Sequence, residues 1–590
     1  MRLLFSMRHL GSLRMYESVL RALAAGGHDI EILANRRDTI GSGIDPEHLL
    51  ADLPQIRWSW EDVRPHAWTE LAAAVRIWLD YLRYFEPRYT DAPRLRQRVG
   101  EYVPPLLRRI TDWWPFRASV GRRALVAWLR AVERALPRQR ELDTLMRNSR
   151  PDVVVVTPLL DLGSRQIEVL RSARACGART AVAIGSWDHL SSKGRISELP
   201  DRVLVWNDTQ VREATELHGI PAERLVVTGA QCYDQWFGRV PTRTREQFCS
   251  MLRLPPDRPF LLYACSALYP IVPTEARFVR HWIEQIRASD DEELRSAAVL
   301  VRPHPTRMEE WSEVDLTDLP NVTLYGSLPV DERSKEDYFE SLYYCGAMIG
   351  LNTSAFIEAA IVGRPVHTIV VPEFAERQEG TVHFHYLKSV GGGVFRLARN
   401  FDEHRAQLAT SLREPIPENL HAGFVRAFVR PFGLDRAATD VFGNAVLDLG
   451  RSPTAARGRA PLWAPALQLL LRPLALAAHV AVARIENPDD RTVLELQRAR
   501  RRDDYRRQRD AERQRQAVDR EAAHREKIER AEAARQTELR TRRERIEASE
   551  REKRARKTER EREKQQHSRA KRRAAMLAQI KRRIGWKQAP

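Results

Sequence analysis

The stretch that decides the fold is Ala347-Met-Ile-Gly-Leu-Asn-Thr-Ser-Ala-Phe-Ile-Glu-Ala-Ala-Ile-Val-Gly-Arg-Pro-Val366. An apolar run ends at Gly350, polar residues 352–354 can cap a helix, and the helical pattern that follows stops at Gly363. Apolar residues then resume at Val366. This order predicts a strand, a helix and a second strand, the repeating unit of a parallel α/β sheet.

The same alternation of strands and helices extends in both directions. In the later half the predicted strands are 260–264, 298–302, 322–325, 347–350 and 366–370. In the earlier half they are 2–7, 29–34, 152–157, 179–184, 202–206 and 224–228. Continuous β-branched runs between helices indicate strands that are buried on both faces. We therefore predict an α/β protein with two tandem Rossmann-like, doubly wound domains, over 1–235 and 236–450.

A helical insertion is predicted within the first domain, at about residues 55–148. It carries Trp58, Trp60, Trp68, Trp78, Trp113, Trp114 and Trp128, half of the fourteen tryptophans. Because aromatic residues at helical spacing mostly fill cores, packing within the insertion is favoured over an exposed acceptor or membrane surface.

The net charge of +18 belongs to the end of the chain, where residues 491–590 hold 35 Lys and Arg against 18 Asp and Glu. This segment predicts a long, solvated, charged helical tail. Residues 451–490 are predicted to be a linker with an apolar, interfacial segment, because Pro465, Arg472 and Pro473 interrupt it too often for a spanning helix. Five cysteines without a C-x-x-C pair favour a reducing cytosol.

The last turns of the tail place Met576, Leu577, Ile580 and Ile584 on one helical face, opposite Lys and Arg. Such a helix suits an anionic membrane surface. Nucleic acid is disfavoured, since interleaved glutamates dilute the positive field and no base-reading module is visible. A solvated spacer without a partner remains an alternative for the middle of the tail.

Two segments of the second domain are candidate binding sites. Asn352, Thr353 and Ser354 stand at a helix start, where free amides and the positive dipole end favour phosphate. Glu358, one turn further on, could accept hydrogen bonds from ribose hydroxyls. An ordinary helix cap is the equally weighted alternative.

The second candidate is the Arg302-Pro-His-Pro305 turn at the end of a predicted strand. Arg302 could clamp phosphate oxygens, and His304 could donate a hydrogen bond to a developing leaving-group charge. A lone histidine is usually structural, but this one shares a domain with the Asn-Thr-Ser helix start.

Together, the tandem halves, the opening Leu3-Leu-Phe-Ser-Met-Arg-His-Leu-Gly11, the Arg302-Pro-His-Pro305 turn and the run from Gly350 to Glu358 resemble GT-B glycosyltransferases. More narrowly, they resemble the branch shared by capsule or wall polymer transferases and non-hydrolysing UDP-N-acetylglucosamine 2-epimerases. The resemblance covers roughly residues 1–450. It implies a nucleotide-diphosphate donor on the second domain, an acceptor on the first, and chemistry in the cleft between them.

Carried over by residue, the resemblance implies that Thr353 and Ser354 contact the diphosphate, Glu358 the ribose, and Arg302 with His304 the phosphates. Glu379, in Glu376-Arg-Gln-Glu-Gly380, echoes a loop of the epimerase branch and is a candidate sugar contact. The resemblance also implies metal independence, and the chain has no D-x-D triplet. No cofactor is expected, and His383 with His385 are predicted to be strand residues.

An inverting transferase needs a base near the acceptor hydroxyl, and the first domain must supply it. The candidates are His9 and Asp188, the latter beside His189 and Lys193 in a polar loop after a predicted strand. Asp188 could equally be a turn residue. The sequence does not choose between them.

These features predict a cytoplasmic glycosyltransferase, peripheral on the inner face of the membrane, that passes a sugar from a nucleotide-sugar donor to a saccharide or lipid-linked acceptor in surface polysaccharide or glycoconjugate assembly. A UDP-sugar 2-epimerase or a polyol-phosphate transferase on the same scaffold is one alternative. A non-enzymatic scaffold with a degenerate transferase domain and a polyanion-binding tail is the other.

Overall fold

The computed structural model describes residues 1–35, 44, 46–61, 63, 66–90, 93–267, 274–453, 460–483 and 548–583. Two compact units divide the chain, Met1–Thr492 and Val493–Pro590. Within the described part of the second unit, residues 548–583 form one helix with every residue exposed. Val518, Ile528, Leu539 and Ile546 of the predicted tail helix, and Ile584 of its amphipathic end, lie outside the described residues.

The first lobe of the larger unit is built on a seven-stranded parallel sheet of order β3-β2-β1-β4-β5-β6-β7. Its strands are Arg2–Met7 (β1), Asp29–Ala34 (β2), Ile56–Trp60 (β3), Val153–Thr157 (β4), Arg179–Ala183 (β5), Arg202–Val205 (β6) and Leu225–Val227 (β7). Its helices are Leu13–Ala25 (α1), Pro46–Leu49 (α2), Thr69–Arg83 (α3), Pro93–Gly100 (α4), Pro105–Thr111 (α5), Trp114–Arg117 (α6), Ser119–Ala135 (α7), Arg140–Ser149 (α8), Gln166–Cys176 (α9), His189–Ser192 (α10) and Asp208–His218 (α11).

The second lobe has a six-stranded parallel sheet of order β10-β9-β8-β11-β12-β13. Its strands are Phe260–Ala264 (β8), Ala298–Arg302 (β9), Val322–Leu324 (β10), Ala347–Ile349 (β11), Val366–Ile369 (β12) and Arg396–Ala398 (β13). Its helices are Arg245–Leu252 (α12), Glu275–Arg287 (α13), Glu292–Ser296 (α14), Glu332–Tyr344 (α15), Ala355–Ile361 (α16), Val382–Ser389 (α17), Phe401–Arg413 (α18) and Ala422–Phe428 (α19). The predicted class of two doubly wound α/β domains is confirmed.

The helical insertion of the first lobe begins later than predicted. Residues 56–60 form the edge strand β3, in parallel register with β2, and the helices start at Thr69. The alternation Ile56-Arg-Trp-Ser-Trp60 is the period-two pattern of a strand. Trp78 fills the insertion core as expected, but Trp113, Trp114 and Trp128 are exposed.

Two helices follow the second sheet. The first, Ala438–Arg451 (α20), was expected to close the second domain, yet its apolar side packs in the core of the first lobe, with the Phe442 ring 5.9 Å from that of Tyr16. The chain therefore crosses between the lobes twice, and the two crossings are joined by the Ala230 amide, which donates to the Val429 carbonyl at 2.9 Å.

The second of these helices is Ala464–Ala483 (α21), which packs on α3 and α7 of the insertion. Among the described residues, it is the one helix whose length and apolar composition, over residues 464–481, would suffice to cross a bilayer. It contains Pro473.

Candidate functional site

The second lobe has its topological switch point between β8 and β11, where the strand order reverses direction. Ligands of open α/β sheets bind outside the carboxyl ends of the strands at such a point. Two loops meet there, since the Asn352 amide donates to the Ser266 hydroxyl at 3.2 Å. Ser266 is held in turn by Glu275, which accepts its amide at 2.8 Å. Both loops are thereby tied to each other and to the start of α13.

The start of α16 lies directly beside this junction. The side-chain amide of Asn352 donates to the Arg377 carbonyl at 2.7 Å. The Thr353 hydroxyl accepts a weak hydrogen bond from the Ala355 backbone amide at 3.4 Å. Ser354 is the N-cap residue, but its side chain is exposed and forms no capping hydrogen bond. Within the described part of the chain, the backbone amides of Thr353 and Ser354 have no hydrogen-bond partner, so these two amides are available to a ligand.

Glu358 lies one turn into α16, as predicted. Its carboxylate accepts a hydrogen bond from the Tyr338 hydroxyl. Burial raises the pKa of Glu358 to about 7, against the opposing effects of the Tyr338 hydrogen bond, Arg14 and Arg302. Glu358 is therefore a carboxyl that gains or loses its charge near neutral pH.

Arg14 is a site residue that sequence reasoning missed. It belongs to α1 of the first lobe, yet its positive charge lowers the pKa values of both Glu358 and His304 in the second lobe. It is half-buried, and within the described part of the chain the structure shows no hydrogen bond or ion pair for its guanidinium. The nearest signal in the sequence was its place just after the first strand, where an arginine at the start of α1 can face the cleft.

Arg302 uses its hydrogen-bond donors within the second lobe and is not free to clamp a phosphate as predicted. It is buried, and its guanidinium donates to the Ser341 hydroxyl at 2.9 Å and to the Ser327 carbonyl at 3.2 Å, while covering the Tyr338 ring. A Cβ at Gly326 would approach its guanidinium to 2.7 Å. These contacts favour a role in which Arg302 positions Tyr338, and through it Glu358.

His304 follows β9 and remains partly open to solvent. Its Nδ1 accepts from the Thr306 amide at 3.3 Å, which favours a neutral ring that carries its proton on Nε2. Burial, followed by the charges of Arg307 and Arg14, lowers the pKa of His304 to about 4. The ring is therefore neutral at physiological pH and suited to donate a hydrogen bond to an anion.

The Glu376–Gly380 loop carries Glu379, the candidate sugar contact, and buries the neighbouring Gln378. Glu379 lies near the surface, paired with Arg399 at 2.9 Å and Lys388 at 3.3 Å. The Arg399 hydrogen bond is the largest effect lowering the pKa of Glu379. Gln378 instead is fully buried and donates to the carbonyls of Leu351 and Ile369, both at 3.0 Å. Gln378 thus pins this loop next to the start of α16.

Asp188 stands in the first lobe at the start of α10. It accepts hydrogen bonds from the hydroxyls of Ser186 at 2.6 Å and Ser192 at 3.0 Å. Burial opposes its ionisation, but the positive fields of His189, Lys193 and His383 outweigh that effect and hold the pKa of Asp188 well below its usual range. A carboxylate with a low pKa and two serine hydrogen bonds is a weak base.

Three histidines surround that loop. Burial lowers the pKa of His189, and its buried Nδ1 has no hydrogen-bond partner among the described residues. His9, at the end of β1, lies close enough to His189 to influence its ionisation. His383 and His385 are on the helix α17 and not, as expected, on a strand. The His383 ring lies edge-on to Trp187, with centroids 4.8 Å apart.

The two lobes therefore face each other with the carboxyl ends of both sheets. Lys335 of α15 forms an ion pair at 3.0 Å with Glu17 of α1, and Glu17 follows Arg14 by three residues on the same helix. On the other side, Trp187 meets His383. Between these two contacts, the charge of Arg14 acts on Glu358 and His304 across the lobes, and His9 acts on His189 of the Asp188 loop.

No protein-family model matches the sequence, and no curated protein matches it. Among solved structures, the chain is similar to the UDP-GlcNAc 2-epimerase of Methanocaldococcus jannaschii, with 12% identity over 76% of this chain and 100% of that one, at a TM-score of 0.44. It is also similar to the UDP-GlcNAc 2-epimerase of Neisseria meningitidis bound to UDP-GlcNAc (10% identity, 76% and 100% covered, TM-score 0.43).

A third similar structure is a glycosyltransferase from Rickettsia africae, with 10% identity over 77% of this chain and 99% of that one, at a TM-score of 0.42. These proteins belong to the two groups that the sequence motifs resemble.

Proposed function

We propose that the protein is a GT-B glycosyltransferase that transfers a sugar from a nucleotide-diphosphate donor to a saccharide or lipid-linked acceptor in surface polysaccharide or glycoconjugate assembly. The observation that carries the proposal is that Arg14 of the first lobe lies near enough to Glu358 and His304 of the second lobe to shift their pKa values, with the start of α16 one turn from Glu358. Arg14 and the amides of Thr353 and Ser354 have no hydrogen-bond partner among the described residues, and together with the neutral His304 they form a site suited to a diphosphate.

In this proposal each residue has a part in the transfer. The donor diphosphate lies against the amides at Thr353 and Ser354, and Asn352 supports them. Arg14 and the Nε2 proton of His304 stabilise the charge that builds on the departing diphosphate as the acceptor oxygen bonds to the sugar carbon. Glu358 faces the ribose, and Glu379 of the Glu376–Gly380 loop contacts the sugar. No cofactor or metal is part of the proposal.

The acceptor hydroxyl loses a proton during transfer, and the first lobe holds the group that takes it. His9 and Asp188 are the proposed bases. The low pKa of Asp188 and its two serine donors favour His9 as the base.

Nucleotide binding tests the proposal. We expect UDP, CDP, GDP or a related nucleotide to raise the melting temperature. The double variant Arg14→Ala/Ser354→Ala should then raise the Kd of that nucleotide about tenfold or more. Arg333→Ala, a change of an exposed arginine on α15, is the matched control. The site assignment fails if no nucleotide protects the protein, or if the double variant binds it as the control does.

Product analysis with labelled donor then separates the reactions. Transfer to an acceptor with release of a nucleoside diphosphate supports the proposal. A changed sugar in the absence of acceptor would identify an epimerase, and release of a nucleoside monophosphate a polyol-phosphate transferase. Binding without turnover, unaffected by His304→Ala, would identify a scaffold.

We further propose that the protein is cytoplasmic and peripheral on the inner membrane face, held there by its tail. The helix over 548–583 exposes Met576, Leu577 and Ile580 amid lysines and arginines. Removal of residues 569–590 should markedly reduce sedimentation with vesicles that contain anionic lipid. Equal sedimentation of the shortened and full-length chains would contradict a role for the tail.

A further inference from the structure

The outer face of α21 is a continuous apolar surface on the globular unit. It consists of Leu469, Leu470, Leu474, Leu476 and Val480, together with Ala466, Pro473 and Ala477 between them. At 100° per residue these eight positions fall within an arc of about 160°, and none is charged. Leu469, Leu470 and Leu474 are 73%, 74% and 54% exposed. No described residue covers this face.

The opposite side of α21 packs against the protein. Leu471 and Ala475 are buried against the core of the helical insertion, with Leu467 packed at its edge. Gln468 donates to the Ala135 carbonyl at 2.6 Å. A soluble surface helix turns its apolar side inward and its polar side outward, but α21 is apolar on both sides. Apolar patches of this kind on a soluble protein mark an interaction surface.

Large apolar side chains are also exposed on the neighbouring helices α6 and α7 and just before them. Trp114 is 76% exposed, and Trp113 and Trp128 are also exposed, on a segment whose α7 packs directly against α21. Residues 105–135 hold seven arginines against two acidic residues. Tryptophan rings favour the bilayer interface, and arginines favour anionic headgroups.

We propose that the outer face of α21, together with Trp113, Trp114 and Trp128, docks the globular unit on the surface of a bilayer that contains anionic lipids. This surface is distinct from the amphipathic tail. It would bring the first lobe, which carries the proposed acceptor side, to the membrane. The cluster of arginines argues against a second copy of the chain as the occupant, because two copies would bring like charges together.

The helix lies on the membrane and does not cross it. Although residues 464–481 are long and apolar enough to span, Arg472 and Pro473 stand in the middle of that stretch. Spanning would also expose the inward contacts of Leu471, Ala475 and Gln468. A helix held along one side by protein can submerge only its other side.

The test compares three full-length triple variants in sedimentation with phosphatidylcholine vesicles that contain phosphatidylglycerol. The first variant, Leu469→Ser/Leu470→Ser/Leu474→Ser, should lower the partition coefficient about tenfold or more, because each leucine contributes apolar surface to the bilayer. The control, Val240→Ser/Met308→Ser/Phe432→Ser, removes three exposed apolar side chains of the second lobe and should change it less than about twofold. The third, Met576→Ser/Leu577→Ser/Ile580→Ser, measures the tail separately.

A second readout is quenching of tryptophan fluorescence by brominated lipid, which should fall in Trp113→Phe/Trp114→Phe while the melting temperature is unchanged. The proposal is overturned if the α21 variant partitions like the control, or if it converts a dimer to a monomer without loss of vesicle binding. Resistance of the wild-type protein to carbonate extraction would show a spanning helix and would also overturn it. Nucleotide binding is measured independently, so failure here leaves the proposed enzymatic function standing.

Discussion

Replacing Glu358 by glutamine should make the protein more stable at alkaline pH and have a smaller effect at acidic pH. Burial raises the pKa of Glu358 from 4.5 to about 7. The folded state therefore favours the protonated carboxyl, and the stability it contributes is present below the unfolded pKa and lost as the pH rises through the folded pKa. Glutamine keeps the shape and can still accept from Tyr338, but it cannot ionise.

The size of the effect follows from the pKa shift. At about 1.36 kcal/mol per pKa unit, the ionisation penalty is below about 1 kcal/mol near pH 5 and about 3 kcal/mol near pH 8.5. For a lobe of this size that difference corresponds to roughly 5–10 °C in melting temperature.

Thermal unfolding of wild type and Glu358→Gln across this pH range is the assay. Glu373→Gln, a change at an exposed residue on the same side of the second sheet, is the control and should follow the wild-type curve at every pH. If the curves of wild type and Glu358→Gln run parallel from pH 5 to pH 8.5, Glu358 does not titrate in this range and its assigned environment is wrong.

Gln378→Ala should destabilise the second lobe by about 2–4 kcal/mol in chemical denaturation, because two buried carbonyls lose their donor; a loss below about 0.5 kcal/mol would contradict this. Phe442→Ala should cost the first lobe about 3–5 kcal/mol, and hydrogen exchange should quicken in β1 and β4 while β8 and β11 stay protected; the reverse pattern would place α20 with the second lobe. Arg302→Lys should lower the melting temperature while the Kd for nucleotide stays within about twofold; a Kd raised about tenfold at unchanged melting temperature would instead assign Arg302 to the phosphates.

Most strands of both sheets could be predicted because their signals are local. Runs such as 260–264 and 298–302 are short and almost entirely apolar, and the structure places strands at Phe260–Ala264 and Ala298–Arg302. The start and stop of α16 were visible in the same way, from Asn352–Ser354 and Gly363. The edge strand β3 was missed because the tryptophans around it suggested one long helical region, although its residues alternate as a strand does.

Residues of the candidate site could be predicted only where a single segment of the sequence fixes their position. His304 and the start of α16 each depend on a single strand and the turn after it, so their place at the edge of the sheet followed from the sequence. Arg14 could not be found in this way, because the two residues whose pKa values it shifts lie more than 280 residues away, in the other lobe. Arg302 was predicted to clamp phosphate, since nothing near it in sequence shows that Ser341 and Ser327 use its donors.

The sequence by itself determined the two doubly wound halves, the helix start that follows β11 and the basic character of the tail, because periodicity, capping and charge are properties of neighbouring residues. Only the tertiary structure decided that α20 returns to the first lobe, that Arg14 faces Glu358, and that α21 turns one apolar side inward and leaves the other uncovered. Each of these depends on which distant surface excludes water from a side chain, and burial of that kind is settled by packing across the whole molecule rather than by local pattern.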